Sequence, residues 1–155
     1  MEERDDIEIE NAEIENDGDI SFEEQEFRNY CEANEFDYDE LGMDEDSRKD
    51  FVKIKKRFMK AVYEKRIIVD GDKVIYTVSD RSPKEMAGTK LTISRPNGRT
   101  LLAMDGHKDT QQQTKLMSYM AALCRIPRNE ISKISSLDKK DHQIIQDIAI
   151  LFLTE

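Results

Sequence analysis

Residues 90–155 decide the fold, and they read KLTISRPNGRTLLAMDGHKDTQQQTKLMSYMAALCRIPRNEISKISSLDKKDHQIIQDIAILFLTE. The stretch opens with a short apolar run over 91–94, which favours a strand, and the turn residues Pro96-Asn97-Gly98 end it. Apolar residues then recur at helical spacing, and Pro127 interrupts them because proline disfavours helical geometry in the residue before it. The predicted helices cover about 110–125, 129–135 and 138–153.

The segment before this stretch predicts a small sheet. Two β-branched runs flank Asp70-Gly71-Asp72, and Asp-Gly between such runs is typical of a hairpin turn. We therefore predict strands over about 67–78 and 91–94, while residues 99–104 fit either a strand or a helix. The predicted fold class is α+β: a small β-hairpin or short sheet followed by a C-terminal helical bundle, over 67–155.

Charge divides the chain into two unequal parts. Residues 1–46 contain 21 acidic side chains and only Arg4 and Arg28 as basic ones, and the whole chain carries a formal charge of −10. High charge with sparse apolar residues predicts a disordered acidic tail, because too little surface can be buried to offset the entropy of ordering. The aromatic residues scattered through the acid leave a second interpretation open, a segment that docks on a partner.

Residues 47–66 predict a basic amphipathic helix whose N-cap we place at Asp46 or Ser47. Nine lysines and arginines lie between Arg48 and Arg66. Such a helix could approach nucleic acid, since phosphate neutralisation dominates that affinity. A solvated lysine-rich face is favoured instead, because the chain as a whole is acidic. The apolar stripe consists of Phe51, Ile54, Phe58, Ala61 and Val62.

The residues offer no assembled catalytic chemistry. Phosphate-binding, dinucleotide-binding, zinc-protease and nucleophile-elbow motifs are missing from the sequence. His142 follows Asp138 by one helical turn, which predicts a surface pair. A zinc site would require Cys31 and Cys124 to meet both histidines without short ligand spacing. We therefore expect no enzyme, no cofactor and no metal.

The sequence also lacks the patterns expected of a secreted or membrane protein. The first residues, MEERDDIEIE, lack the basic and apolar regions of a signal peptide. No apolar run approaches the roughly 18–20 residues that span a bilayer. We expect a cytoplasmic protein with protein partners, no membrane contact and no nucleic acid, and self-association stays open.

The apolar faces of the C-terminal helices are the predicted partner-binding residues. A helical face with adaptable methionines suits a binding surface that covers a partner's helices. The predicted residues are Leu116, Met117, Met120, Leu123, Ile144, Ile148, Leu151 and Phe152.

The pattern over residues 66–155 resembles the tail assembly chaperones of long-tailed bacteriophages, particularly of the Mu and P2 type. It consists of a strand, Arg-Pro-x-Gly, Leu-Leu-Ala-Met-Asp, a helix ending in Leu-Cys-Arg-Ile-Pro, and Leu-Asp-x-x-Asp opening a last apolar helix. The matching positions are Leu91, Ile93, Arg95, Pro96, Gly98, Leu101, Leu102, Asp105, Leu116, Leu123, Pro127, Ile131, Leu137, Asp138, Asp141 and Ile148.

The resemblance implies a non-enzymatic chaperone in the bacterial host cytoplasm. Such proteins bind the elongated tape-measure protein and bring tail-tube subunits to it, and members are often also made as a longer frameshifted product. The alternative hypothesis is a nucleic-acid-associated regulatory protein whose basic helix is masked by the acidic tail.

Overall fold

The structure, a computed structural model, describes residues 20–105 and 111–154. Helices surround a three-stranded antiparallel sheet of order β1-β2-β3, which confirms the predicted α+β class. The elements are α1 (Phe22–Ala33), α2 (Glu45–Tyr63), β1 (Ile67–Asp70), β2 (Lys73–Thr77), β3 (Lys90–Ile93), α3 (Gly98–Leu102), α4 (Gln112–Leu123), α5 (Ser132–Ser135) and α6 (Lys139–Leu153), with 3₁₀ turns at Glu40–Gly42 and Arg128–Glu130.

The predicted hairpin joins β1 and β2. Asp70 pairs with Lys73, so Gly71 is the first residue of a two-residue turn, where its φ of 64° suits glycine. The third predicted strand, β3, pairs antiparallel with β2. Val74 and Tyr76 of β2 point into the core, because alternate residues of a strand face the same side.

The prediction of a disordered acidic tail is wrong over residues 20–46. Ser21 caps α1 by accepting a hydrogen bond from the Glu24 amide at 3.1 Å. Phe27, Tyr30 and Cys31 then lie on one face of α1 and are fully buried. Their burial offsets the charge that otherwise opposes folding. Residues 1–19, the rest of the predicted tail, lie outside the described residues.

The basic helix belongs to the same hydrophobic core as the rest of the described chain. Its N-cap is Asp44, two residues before the first predicted cap, and the Asp44 carboxylate accepts from the Ser47 amide at 2.8 Å. The rings of Phe51 and Phe58 lie 5.6 and 5.1 Å from that of Phe27. The predicted apolar stripe is confirmed, and α1 is the element that covers it.

Ion pairs tie the basic helix to acidic residues of its neighbours. Lys55 Nζ lies 2.9 Å from a Glu24 carboxylate oxygen and 3.2 Å from one of Glu40. Arg57 donates two hydrogen bonds, of 2.6 and 2.9 Å, to the Asp147 carboxylate of α6. This forked pairing fixes α2 against the last helix.

The ambiguous residues after the Pro-Asn-Gly turn are helical. Asn97 and Thr100 form a reciprocal capping box that starts α3. For the helix predicted over about 110–125, either Asp109 or Thr110 has the short polar side chain of an N-cap; both lie outside the described residues, and α4 begins after Gln111. Asp138 is the N-cap of α6 and accepts from the Lys140 amide at 3.0 Å.

Candidate functional site

The predicted partner-binding face lies inside the protein. The structure places Met120, Leu123, Ile148, Leu151 and Phe152 in the buried core. A buried side chain cannot contact a partner while the fold is intact. The interpretation of these five residues as a binding surface is therefore corrected, and they are core residues that join α4 to α6.

The covering surface comes from the region predicted to be a tail. The Phe152 ring centroid lies 4.9 Å from that of Phe36 and 6.5 Å from that of Tyr30, with angles between the ring planes of 66° and 82°. Edge-to-face aromatic pairs of this kind add stability beyond the area they bury. The acidic segment thus supplies the partner that the apolar helix face requires.

The other three predicted residues, Leu116, Met117 and Ile144, are partly buried against the core. Met117 Sδ lies 3.4 Å from His142 Nε2, and burial lowers the pKa of that histidine. The predicted pair between His142 and Asp138 is wrong, since the imidazole faces α4 while the Asp138 side chain caps α6. These three residues lie between packed helices and do not form an open surface.

An open groove between α3 and α4 is the surface that the sequence reasoning missed. We call it the α3–α4 groove, and its volume is about 510 Å³, within the range of clefts that bind ligands. Its lining residues are Arg99, Thr100, Leu102, Ala103, Ser118, Ala121, Ala122, Arg125, Ile126, Pro127, Arg128 and Ile131.

Helix α4 contributes the small residues Ser118, Ala121 and Ala122 to the lining of the groove. Ile126 and Ile131 add larger apolar side chains to it. Leu102 lies at the edge with 62% of its surface exposed, and its neighbour Leu101 is 53% exposed. Adjacent exposed leucines beside an apolar cleft mark a surface suited to binding.

Three arginines form the rim, and among residues 20–105 and 111–154 no acidic residue lines the groove. Arg128 donates to the Asp105 carbonyl at 3.2 Å, which holds it over the α3 side. Arg99 and Arg125 form no ion pair with another described residue. The groove therefore combines an apolar floor with positive charge.

The backbone at Arg125 is unusual and positions this rim. Arg125 has a φ of 59°, the left-handed conformation that glycine normally supplies after a helix. The Ile126 amide then donates to the Ala121 carbonyl at 2.9 Å, which closes the end of α4. Glu35 and Lys65 adopt the same conformation, but Arg125 is the one of the three that lines the groove.

A second polar cluster surrounds the buried carboxylate of Asp141. Asp141 accepts from Tyr76 Oη at 2.5 Å, Ser79 Oγ at 2.7 Å and Ser82 Oγ at 2.6 Å, and from the Ser79 amide at 3.2 Å. Burial alone would raise the pKa of Asp141, but the hydrogen bonds from Ser82, Tyr76 and Ser79 outweigh it and hold that pKa below the ordinary range.

This cluster anchors the connector between β2 and β3 to α6. Arg66 lies 3.8 Å from the same carboxylate and balances part of its charge. The Asp141 carboxylate and both serine hydroxyl groups that donate to it are buried, so the hydrogen-bonded group is closed off from solvent. The arrangement stabilises the fold by holding the connector against α6.

The cysteines are also enclosed. Burial raises the pKa of both Cys31 and Cys124 to about 12, so neither thiol is readily ionised. Across residues 20–105 and 111–154, no three His, Cys, Asp or Glu side chains are grouped to hold a metal ion. His107 lies outside these ranges. The α3–α4 groove is consequently the strongest candidate site on the described chain.

Among the described helices, none combines the length and apolar character needed to cross a membrane. Comparison of the chain with protein-family models, with curated protein sequences and with solved structures gives no significant match.

Proposed function

We propose that this chain is a non-enzymatic tail assembly chaperone of a long-tailed bacteriophage, acting in the host cytoplasm. In this role it binds a helix of the tape-measure protein in the α3–α4 groove and recruits tail-tube subunits. The observation that carries the proposal is the groove itself, an apolar cleft beside two exposed leucines. The residue pattern of 66–155 supports the phage assignment.

The groove suits a helix better than it suits a small substrate. Alanine, leucine and isoleucine side chains supply most of its described apolar lining, and an amphipathic helix is recognised by an apolar groove through anchors on one face. Tape-measure proteins are long and helical, so a chaperone must cover such faces reversibly. A shallow groove with two flanking leucines provides contact of that kind.

The first test is a charge placed at the exposed edge of the groove. Leu102→Asp is expected to weaken capture of the co-expressed tape-measure protein by at least about tenfold, because burying a leucine contributes about 2 kcal/mol. Leu102 is largely exposed, so the variant should keep the thermal unfolding temperature of the parent. Affinity is measured by titrating purified tape-measure fragments.

Leu41→Asp is the matched control, because Leu41 is 91% exposed on the 3₁₀ turn between α1 and α2 and lies outside the groove lining. It should bind like the parent. Equal binding by the Leu102 variant and the parent would refute the groove as the partner site. The gene order gives a second test: a gene for this chain between tail-tube and tape-measure genes is expected.

A further inference from the structure

We propose that residues 1–19 of this chain occupy the α3–α4 groove when no partner is bound there. The first segment would then act as an internal competitor that the partner helix must displace. This regulatory meaning rests on the proposed function. The docking itself can be tested on the isolated chain.

Charge complementarity is the first support. Residues 1–19 carry ten carboxylates and a single basic side chain, Arg4. The described lining of the groove includes Arg99 and Arg125, which form no ion pair with another described residue, and no described carboxylate. Arginine and carboxylate form charge-assisted hydrogen bonds, and several such contacts along one segment reinforce each other. The segment and the groove have opposite charge. Because both belong to one molecule, their encounter is intramolecular.

Apolar complementarity is the second support. The sequence IEIENAEIE places Ile7, Ile9 and Ile14 among the carboxylates. These are the apolar groups that a purely solvating acidic segment would not need. The groove floor, built from Ala121, Ala122 and Ile126, accepts aliphatic side chains of that size. The same segment can therefore satisfy the floor and the arginine rim together.

The chain is long enough to make the connection. The far end of α1 is adjacent to the groove side of the fold, because Arg95 donates to the Asn34 carbonyl at 2.9 Å and α3 begins three residues after Arg95. From Ile20 the distance back along α1 is roughly 20 Å at 1.5 Å per residue. Nineteen extended residues span up to roughly 60 Å, which is ample.

The basic helix α2 is the competing location, and it fits less well. Its cations Lys55 and Arg57 are already paired with carboxylates. Lys53 and Lys60 are exposed, but the apolar residues of α2, including Phe58, are buried beneath them. That face offers charge without an apolar cleft, so it would leave the three isoleucines in water.

A spin label on the first segment tests the docking in the full chain. In Ala12→Cys the added thiol can be labelled selectively, because burial holds the pKa of Cys31 and Cys124 at about 12. We expect the nitroxide to broaden the methyl resonances of Ile126 and Ile131 in the groove. The methyl resonances of Ile68, exposed on the edge strand β1, should be unaffected.

The broadening should depend on the rim charges and on salt. Arg99→Glu with Arg125→Glu should abolish it, as should about 1 M salt, which shortens the Debye length to about 3 Å. Lys53→Glu with Lys60→Glu makes the same change of charge on α2 and should leave it intact. Absent broadening, equal broadening at Ile68, or loss in the α2 variant alone would each overturn the proposal.

A mixture of spin-labelled chains and isotope-labelled, nitroxide-free chains distinguishes a second copy as the source of the segment. Broadening in that mixture would mean that the segment docks between molecules, which overturns the intramolecular assignment. No broadening in the mixture, together with broadening in the singly labelled chain, supports it.

The partner titration separates this inference from the proposed function. Changing Glu8, Glu10, Glu13 and Glu15 to glutamine should tighten binding of a tape-measure fragment by about tenfold if the segment fills the groove about nine-tenths of the time. Groove broadening with no tape-measure binding would refute the proposed function and leave the docking intact. Tape-measure binding in the groove without broadening would refute the docking of residues 1–19 and leave the proposed function intact.

Discussion

The two apolar surfaces of helix α4 have different roles: one packs in the core and the other lines a groove. Met120 and Leu123 are buried in the core, whereas the half-buried Ala122 and its buried neighbour Ala121 line the α3–α4 groove. The covered surface uses large side chains that fill a core, and the open one uses small side chains that admit a foreign group. Side-chain size along α4 therefore distinguishes the surface that packs in the core from the surface that is available for binding.

The largest expected effect comes from removing a side chain on the covered surface. Phe152→Ala should lower the free energy of unfolding by about 4 kcal/mol, because it deletes a buried ring and leaves a cavity beside Phe36. Leu102→Ala, at the groove edge, should change it by less than about 0.5 kcal/mol. Urea unfolding of both variants measures the contrast, and equal losses would contradict it.

The polar anchor of α6 should give the next largest effect. Asp141→Ala should destabilise the protein by about 3 kcal/mol at neutral pH, because the hydroxyl groups of Tyr76, Ser79 and Ser82 lose their shared acceptor. Urea unfolding at pH 7 measures this loss. A change below about 1 kcal/mol would mean that the connector is held by other contacts.

The same carboxylate predicts a pH dependence. Folding lowers the pKa of Asp141 below its ordinary 3.8, so its contribution is complete above about pH 4 and is lost as the pH falls through the folded-state pKa. The difference in stability between the parent and Asp141→Asn should be constant from pH 7 to 5 and should shrink below about pH 4. A difference that persists into strong acid would contradict this sign.

The smallest expected effect is at the groove rim, where one substitution should raise stability and weaken binding. Arg125→Gly should raise the free energy of unfolding by about 0.5–1 kcal/mol, because glycine adopts the positive φ without strain. The same variant should weaken binding of the acidic N-terminal segment and of the partner helix. Chemical unfolding and the partner titration measure the two effects.

Lys65→Gly is the matched comparison, because Lys65 has a φ of 65° just after α2 and is outside the groove lining. It should gain similar stability with unchanged binding. If the Arg125 variant binds as well as the parent, the rim charge at that position has no part in recognition.

Local patterns in the sequence predict most of the secondary structure. The Asp-Gly pair and the stripe from Phe51 to Val62 each act over a few residues, and the structure contains the turn and the helix at those places. The prediction of disorder from composition is wrong for residues 20–46. The net charge of a segment carries no information on residue order, and here Phe27, Tyr30 and Cys31 fall on one helical face. A periodicity test applied to that segment alone would have detected the helix.

The candidate site was harder to predict for a physical reason. Helical spacing identifies an apolar face, such as that of Ile148 and Phe152, but it carries no information on which distant segment covers it. The groove depends on α3 meeting α4, and its arginines follow no periodic pattern. The weak signal available was the run Arg-Ile-Pro-Arg at 125–128, where two arginines flank an apolar pair after a helix.

The packing of Tyr30 and Phe36 against Phe152 has a consequence for synthesis on the ribosome. Tyr30 and Phe36 are synthesised well before Phe152, the ring that packs against them. At 5–20 residues per second the wait is roughly 6–24 s. Over that interval the uncovered rings are carried by a nascent chain whose first 46 residues contain 21 carboxylates. Mutual repulsion between such chains on neighbouring ribosomes would then protect the unfinished core from aggregation.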